Sequence, residues 1–397
     1  MQQLSDLSVS NIFLYIGDAV RWDALPERLA EQGLTAKTVA ASIHTPSSFS
    51  SITTGLHVPQ HGILDFNYRI DDNLPSMLHL DGFNTGFANS IDEVFVDNPP
   101  MEFVLDKVLN TSVDSYRQLE SISAPFFFME RGPGGHAPYG NYDGNGWEYF
   151  RENSTSPTTE IRDDYYEGVE MDVSHFESQL QVLEDRGLLE DTLVIYSSDH
   201  GELLGEGGCL GHNEPIHPKH VYVPSVFIHP SLENTEMDGL LRHVDFFPTI
   251  ASLLGADING LPGRDLTKQT PGEQGTSFYH RSVAPNVPGI SGELDYESVW
   301  DSNGGYVFPN NGRLNRGIIL AGKLLKASKR GYMRRHLRSA LRFYLEGDTV
   351  YGAPKITRKD AKAELQRIQN LPETTASASD LNDGAIDRLQ ELGYLEN

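Results

Sequence analysis

The chain is poor in cysteine: its 397 residues include one, Cys209. A single thiol excludes an intramolecular disulfide framework and any metal site built on several cysteines. Basic residues are also scarce, 31 Lys and Arg against 56 Asp and Glu, for a net charge of -25. That balance argues against a surface that binds nucleic acid as a whole. No stretch approaches the roughly twenty apolar residues of a membrane helix. The opening segment MQQLSDLSVSNIF has no basic leader and no long apolar run, so no secretory signal is read there and the cytoplasm is the expected compartment. Disorder does not explain the acidity, because 38% of the residues are hydrophobic. An acidic but globular composition fits a halophilic protein kept in solution by surface carboxylates.

What is present is an alternation. Short apolar runs rich in β-formers occur at 11–17 (NIFLYIG), 125–130 (PFFFME), 193–196 (LVIY) and 225–228 (SVFI). Between them lies helical periodicity, clearest over 165–185, where Val169, Val173, Phe176, Leu180 and Leu183 share one face. This pattern predicts an α/β fold with a mixed, largely parallel sheet between helices. The length allows one large domain, expected over residues 1–300, and a shorter, mostly helical region over 301–397. The same reading predicts a strand over 38–43, helices over 74–80 and 244–254, and one amphipathic helical stretch over 319–345. It ends with a linker over 371–384 and a short helix over 385–394.

Chemistry-bearing residues fall at the ends of the apolar runs. Asp18 follows the first, and Asp199-His200 follow the run at 193–196. Loops at the carboxyl ends of parallel strands are where open α/β sheets hold their sites. The segment from His44 to Gly55 is dense in hydroxyls and has Pro46 near its start. It predicts a helix whose N-terminus faces the site and favours an anionic group. Asp18, Thr45, Asp199 and His200 together suit one divalent ion. Mixed oxygen and nitrogen donors lean to Mn or Zn, with Ca or Mg as alternatives. Such an ion would lower the pKa of the Thr45 hydroxyl and polarise an anionic ester. Ser47 and Ser48 compete with Thr45 as the nucleophile. His136 and His212, on glycine-rich loops, are candidates to protonate a leaving oxygen. Arg131 offers a fork of donors to an anion, with a structural role as the plainer reading. His61, Asp172 and His175 read as structural, and His217 and His220 as a solvated loop pair.

In these residues the sequence resembles the sulfatases and their phosphoesterase relatives in the alkaline phosphatase superfamily. The resemblance rests on seven motifs in order: Asp18-Ala19-Val20-Arg21; Ile52-Thr53-Thr54-Gly55 followed by Pro59 and His61-Gly62; Gly135-His136-Ala137-Pro138-Tyr139; Ser198-Asp199-His200-Gly201-Glu202; Gly211-His212; Val221-Tyr222-Val223-Pro224; and Val244-Asp245-Phe246-Phe247-Pro248-Thr249. The family's nucleophile spacing, counted back from Gly55, implies Thr45. Three departures shape the expected chemistry. Formylglycine sulfatases need Cys or Ser followed by x-Pro-x-Arg, and Cys209 lies far from that segment. Ala19 stands where the family has a second Asp. The sulfate-gripping Lys-Trp-His is replaced around Asn89-Ser90-Ile91-Asp92. What remains resembles the single-metal, Thr-nucleophile branch typified by lipoteichoic acid synthases. That resemblance implies a metal-dependent hydrolase or transferase acting on a phosphate or sulfate ester, with phosphoesters favoured. The substrate would be a small molecule or a glycan- or lipid-linked anionic ester.

Two other readings compete. One is a sulfatase-fold binding protein without turnover, suggested by Ala19 and the missing sulfate grip. The other uses the basic stretch 323–342, which holds eight Lys and Arg. It reads first as a solvated, salt-paired face and second as a membrane-surface patch.

Overall fold

The computed structural model describes residues 2–91, 104–111, 115–282, 292–374 and 376–378. Its centre is an eight-stranded sheet. The order is Thr235–Glu236, Leu34–Val39, Tyr222–Ile228, Thr192–Ser198, Asn11–Gly17, Phe126–Gly132 and Asn84–Asn89, with Leu241–Arg242 also pairing Leu34–Val39. Tyr222–Ile228 runs antiparallel to both neighbours; the other pairings in this sheet are parallel. The expected mixed, largely parallel α/β sheet between helices is therefore what forms.

Asn11–Gly17 is buried along its whole length because it packs on both faces. Ile12, Leu14 and Ile16 join a core under the helices Thr45–Thr54 and Phe246–Leu253. Phe13 and Tyr15 point the other way, against Val173 and Phe176 of the 28-residue helix Thr158–Asp185. Each aliphatic side chain so buried contributes roughly 1.5–3 kcal/mol. Covering both faces explains why the strands read as continuous apolar runs and not as alternation.

The helix Thr45–Thr54 is buried at every position despite six hydroxyl residues beyond Thr45 and Pro46. Three of these hydroxyls bond locally: Thr54 Oγ1 donates to Ser50 O, Ser51 Oγ meets His61 Nε2, and Ser48 Oγ bonds the Ser42 backbone, whereas Ser50 Oγ and Thr53 Oγ1 have no hydrogen-bond partner among the described residues. Its entry also explains a shift in the preceding strand, which spans Leu34–Val39 and not 38–43. Ala41 and Ser42 leave the ladder because their N–H groups donate to His243 Nδ1 and Ser48 Oγ.

A second, antiparallel sheet follows, with strands Gln274–Ser282, Glu293–Asp301, Gly304–Pro309 and Thr349–Gly352. The division expected at residue 300 runs through it, since Glu293–Asp301 pairs with Gly304–Pro309. Among the described residues beyond it, the single stretch expected over 319–345 is three helices, Arg313–Lys326, Arg330–Arg335 and Leu337–Leu345. Extended backbone at Ala327 ends the first. The helix expected over 74–80 is a short 3-10 turn, Met77–His79. Part of the expected linker is tied down, with Ser377–Ala378 pairing Tyr68–Arg69. The expected helix over 385–394 lies outside the described residues.

Candidate active site

Two neighbouring parallel strands, in register, deliver the acidic groups. Gly17 pairs with Ser198, so Asp18 and Asp199 leave the sheet side by side. Both are fully buried. Asp199 Oδ1 accepts from Ala19 N at 3.0 Å and from His200 N at 2.8 Å. Its other oxygen, Oδ2, is buried with no hydrogen-bond partner among the described residues and lies 3.5 Å from His200 Nε2. His200 Nδ1 faces Gly201 O at 3.0 Å. A carbonyl can only accept, so Nδ1 carries the proton and Nε2 a lone pair. Ligand-capable atoms of Asp18, Asp199 and His200 all lie within 4.8 Å of one another. A buried carboxylate oxygen without a donor, beside an imidazole lone pair and a second carboxylate, is a donor set that fits a divalent cation. These three residues would hold it.

Electrostatics agree with that geometry. Burial, then the charge of Asp18, raises the Asp199 carboxyl to about 6. Burial works against the Asp18 carboxylate too, but Arg131, His136 and His200 outweigh it and hold Asp18 below its ordinary value. Arg131, near the end of the adjacent strand Phe126–Gly132, turns its fork onto Asp18 Oδ2, with Nε at 3.0 Å. Its side chain is engaged inside the protein and not displayed as a surface anion clamp.

Thr45 opens its helix, and Thr45 Oγ1 lies 3.3 Å from His200 Nε2. Ser48 Oγ is held by Ser42, donating to O at 2.9 Å and accepting from N at 3.2 Å. His136 and His212 close the opposite side. Their ring centroids are 5.5 Å apart, and His212 lies 4.5 Å from His200. The His136 loop is pinned by Gly135 N to Asp18 O at 2.7 Å and Gly134 N to Asp172 Oδ1 at 2.8 Å. Gly134 has φ +58, and a Cβ there would fall 1.9 Å from Asp18 O, so only glycine fits. His136 Nδ1 faces Ala137 O at 2.7 Å, and His212 Nδ1 faces Glu202 Oε2 at 2.9 Å. Burial takes the His136 imidazole down to about 4, with Asp18 offsetting part of the effect. Burial, then His200 and His136, holds His212 well below the ordinary histidine range.

The six residues singled out from sequence, Asp18, Thr45, His136, Asp199, His200 and His212, thus meet at the carboxyl edge of the sheet. The residues read as structural have structural contacts. Asp172 accepts from Tyr15, Tyr196 and Gly134, and His61 bonds Ser51 and Ile63. His217 and His220 are not the solvated loop pair expected: His220 is fully buried and faces Gly211 O, and the half-buried His217 caps Lys219 N. Cys209 is a buried core residue. Sequence reasoning missed Glu202 as the partner of His212; its place two residues after His200 was the available signal. It also missed Arg281 and Lys329, buried cations whose charges act on His212. No local pattern marks them. A cleft of about 910 Å³ beside Trp22, Lys37, Asp301 and Lys355 contains none of the site residues.

A largely parallel sheet flanked by helices, with its acidic and imidazole groups at the carboxyl ends of the strands, defines the alkaline-phosphatase-like α/β class. Solved structures share this architecture. The phosphonate monoester hydrolase of Agrobacterium radiobacter has a TM-score of 0.59 at 14% identity, covering 87% of this chain and 100% of its own. BT1596, a 2-O GAG sulfatase, has a TM-score of 0.57 at 13% identity, covering 96% and 100%. The sulfatase family model matches residues 6–256, and the chain belongs to the sulfatase family. It is 30% identical over 404 residues to the low-salt glycan biosynthesis sulfotransferase Agl7 of Haloferax volcanii, covering 97% of this chain and 96% of that protein.

Proposed function

We propose that the chain is a metal-dependent enzyme that moves a sulfate or phosphate group from a glycan ester through Thr45. The observation that carries this reading is the Thr45 hydroxyl, at a helix start and 3.3 Å from His200 Nε2, beside the Asp18–Asp199 pair. The sulfotransferase activity of the Haloferax relative supports sulfate over the phosphoesters favoured by the sequence, and transfer over hydrolysis. A bound divalent ion would supply Lewis acidity at the ester oxygens and at the Thr45 hydroxyl.

The chain's own groups would do the rest. Thr45 Oγ attacks sulfur in line, the bond from sulfur to the leaving oxygen breaks, and its electron pair stays on that oxygen. Because Nδ1 of His136 faces a carbonyl, its ring offers a lone pair at Nε2, and His212 offers one there when Glu202 is ionised and accepts from its Nδ1. One of them takes the Thr45 proton and returns it to the leaving oxygen. Glu202 orients His212 for this exchange and stabilises its charged form. The helix N-terminus stabilises the equatorial oxygens. An acceptor hydroxyl then attacks the Thr-bound group and frees Thr45; water in that place gives hydrolysis.

The test is a donor panel of sulfated and phosphorylated sugars with Mn, Zn, Mg or Ca and a sugar acceptor. Sulfated acceptor formed by the wild type and not by Thr45→Ala is the expected result. Free sulfate with no acceptor product makes the enzyme a hydrolase. Inertness towards every donor favours the binding-protein reading, which Ala19 supports by leaving only two carboxylates in the cluster.

A further inference from the structure

The C-terminal helices present a surface that the ester chemistry does not use. From Arg313 to Leu345 the chain holds ten Lys and Arg and no Asp or Glu, in a protein of net charge -25. The inner side of these helices is fully engaged. Lys323 pairs with Glu214 at 3.0 Å, Arg316 donates to the carbonyls of Tyr344, Asn311 and Glu346, and Met333, Ala340 and Tyr344 lie in the core.

The outer side is different. Leu314, Ile318 and Leu325 follow helical spacing on one face of Arg313–Lys326 and are 74%, 38% and 70% exposed. Leu337 and Leu341 on the packed neighbouring helix are each 40% exposed. These five make up most of the eight exposed large apolar residues among the described residues. Arg313, Lys326, Arg334, Arg335 and Arg338 on these helices are exposed, with Arg334 donating to Leu324 O and Arg335 to Ser154 O and Ser156 O. None of these five cations makes an ion pair among the described residues; of the exposed set only Arg342 meets a carboxylate, Glu346 at 3.6 Å. The outer face is solvated, as the sequence suggests, and carries few ion pairs among the described residues.

Protruding leucines on helices whose exposed cations mostly lack a carboxylate partner among the described residues have one well-matched counterpart: a soft, apolar layer beneath a sheet of negative charge. Long Arg and Lys stems can lie along the apolar boundary while their heads stay at the phosphates. The rest of the chain is strongly acidic and would be repelled by such a surface, which leaves this face as the one that can approach.

We propose that the outer face of Arg313–Lys326 and Leu337–Leu345 docks the protein on an anionic lipid bilayer. Leu314, Ile318 and Leu325 enter the acyl boundary, and the flanking cations meet lipid phosphates. The inner side of the same helices braces the segment that carries His212: Phe343 packs over Gly207, and Lys323 holds Glu214. Docking would hold the active site beside the membrane, where a lipid-linked glycan ester would be met. That last extension rests on the functional reading above; the docking does not.

Co-sedimentation of the full chain with phosphatidylglycerol or phosphatidylcholine vesicles over a salt series tests it. At about 0.1 M salt, where the Debye length is about 10 Å, the wild type should partition at least tenfold more onto the anionic vesicles. The triple change Leu314→Ser, Ile318→Ser, Leu325→Ser should lose that binding at every salt concentration, and Leu337→Ser with Leu341→Ser should weaken it independently. Arg313→Gln, Arg334→Gln and Arg338→Gln together should weaken it at about 0.1 M and much less at about 1 M, where the Debye length is about 3 Å. Equal unfolding midpoints would show that the variants are folded. Wild type left in the supernatant with anionic vesicles overturns the proposal. So does a serine variant that binds as well as wild type. A dimer that the serine changes abolish, with vesicle binding absent, would make the face an interface between copies instead.

Discussion

Replacing Asp199 with Asn should stabilise the metal-free protein while weakening its hold on a metal. Asp199 is fully buried; its Oδ1 has two backbone donors, whereas Oδ2 has no hydrogen-bond partner among the described residues and lies 3.5 Å from His200 Nε2. Burial and the Asp18 charge raise its carboxyl from 3.8 to about 6. A carboxyl whose pKa rises on folding destabilises the folded state at pH values where it is charged. At 1.36 kcal/mol per unit, a rise of about two units costs about 3 kcal/mol. That cost is fully present above the folded value, shrinks as pH falls through about 6, and is gone below the unfolded value near 3.8. Asparagine keeps Oδ1 for the two backbone donors and places an amide N–H toward the His200 lone pair. Denaturant unfolding of chelator-treated proteins should therefore show the variant up to about 3 kcal/mol more stable at pH 8, with the difference vanishing near pH 4. Metal analysis of the untreated proteins should show at least about tenfold weaker retention in the variant, since a direct ligand is lost. A metal-free variant less stable than wild type at pH 8 would refute the account of the buried pair. Undiminished metal content would refute the ligand assignment.

Other substitutions separate roles within the same region. Thr45→Ala should abolish turnover and keep most of the bound metal; if Ser47→Ala is the inactive variant instead, the nucleophile lies two residues further on. Ser48→Ala should keep activity but lower stability by about 1–2 kcal/mol in denaturant, because the Ser42 backbone loses its partner. Asp172→Ala strands the hydroxyls of Tyr15 and Tyr196 and the N–H of Gly134. About 3–6 kcal/mol of unfolding free energy should be lost, and Asp172→Asn should lose much less. Gly134→Ala puts a methyl group into Asp18 O, and thermal unfolding should shift down together with metal content.

The sequence alone determined the local parts and the order of the motifs. Asn11–Gly17 and Phe126–Gly132 read as strands because burial on both faces demands unbroken apolar runs, a property written in consecutive residues. Asp18 and Asp199-His200 were legible because each follows such a run directly. The family spacing that implied Thr45 is likewise local. Tertiary structure decided which charges meet. Arg131 reaches Asp18 across 113 residues, and Lys323 reaches Glu214 across 109; nothing near either basic residue names its partner. It also decided where Leu34–Val39 leaves the sheet, because His243 and Ser48 supply the acceptors that end its ladder. The basic stretch shows the same limit. Its periodicity gave helices, but the exposure of Leu314 and Leu325 depends on which faces the helices turn toward Tyr344 and the 203–214 segment. Pairing and exposure are relations between distant segments, and only the folded chain fixes them.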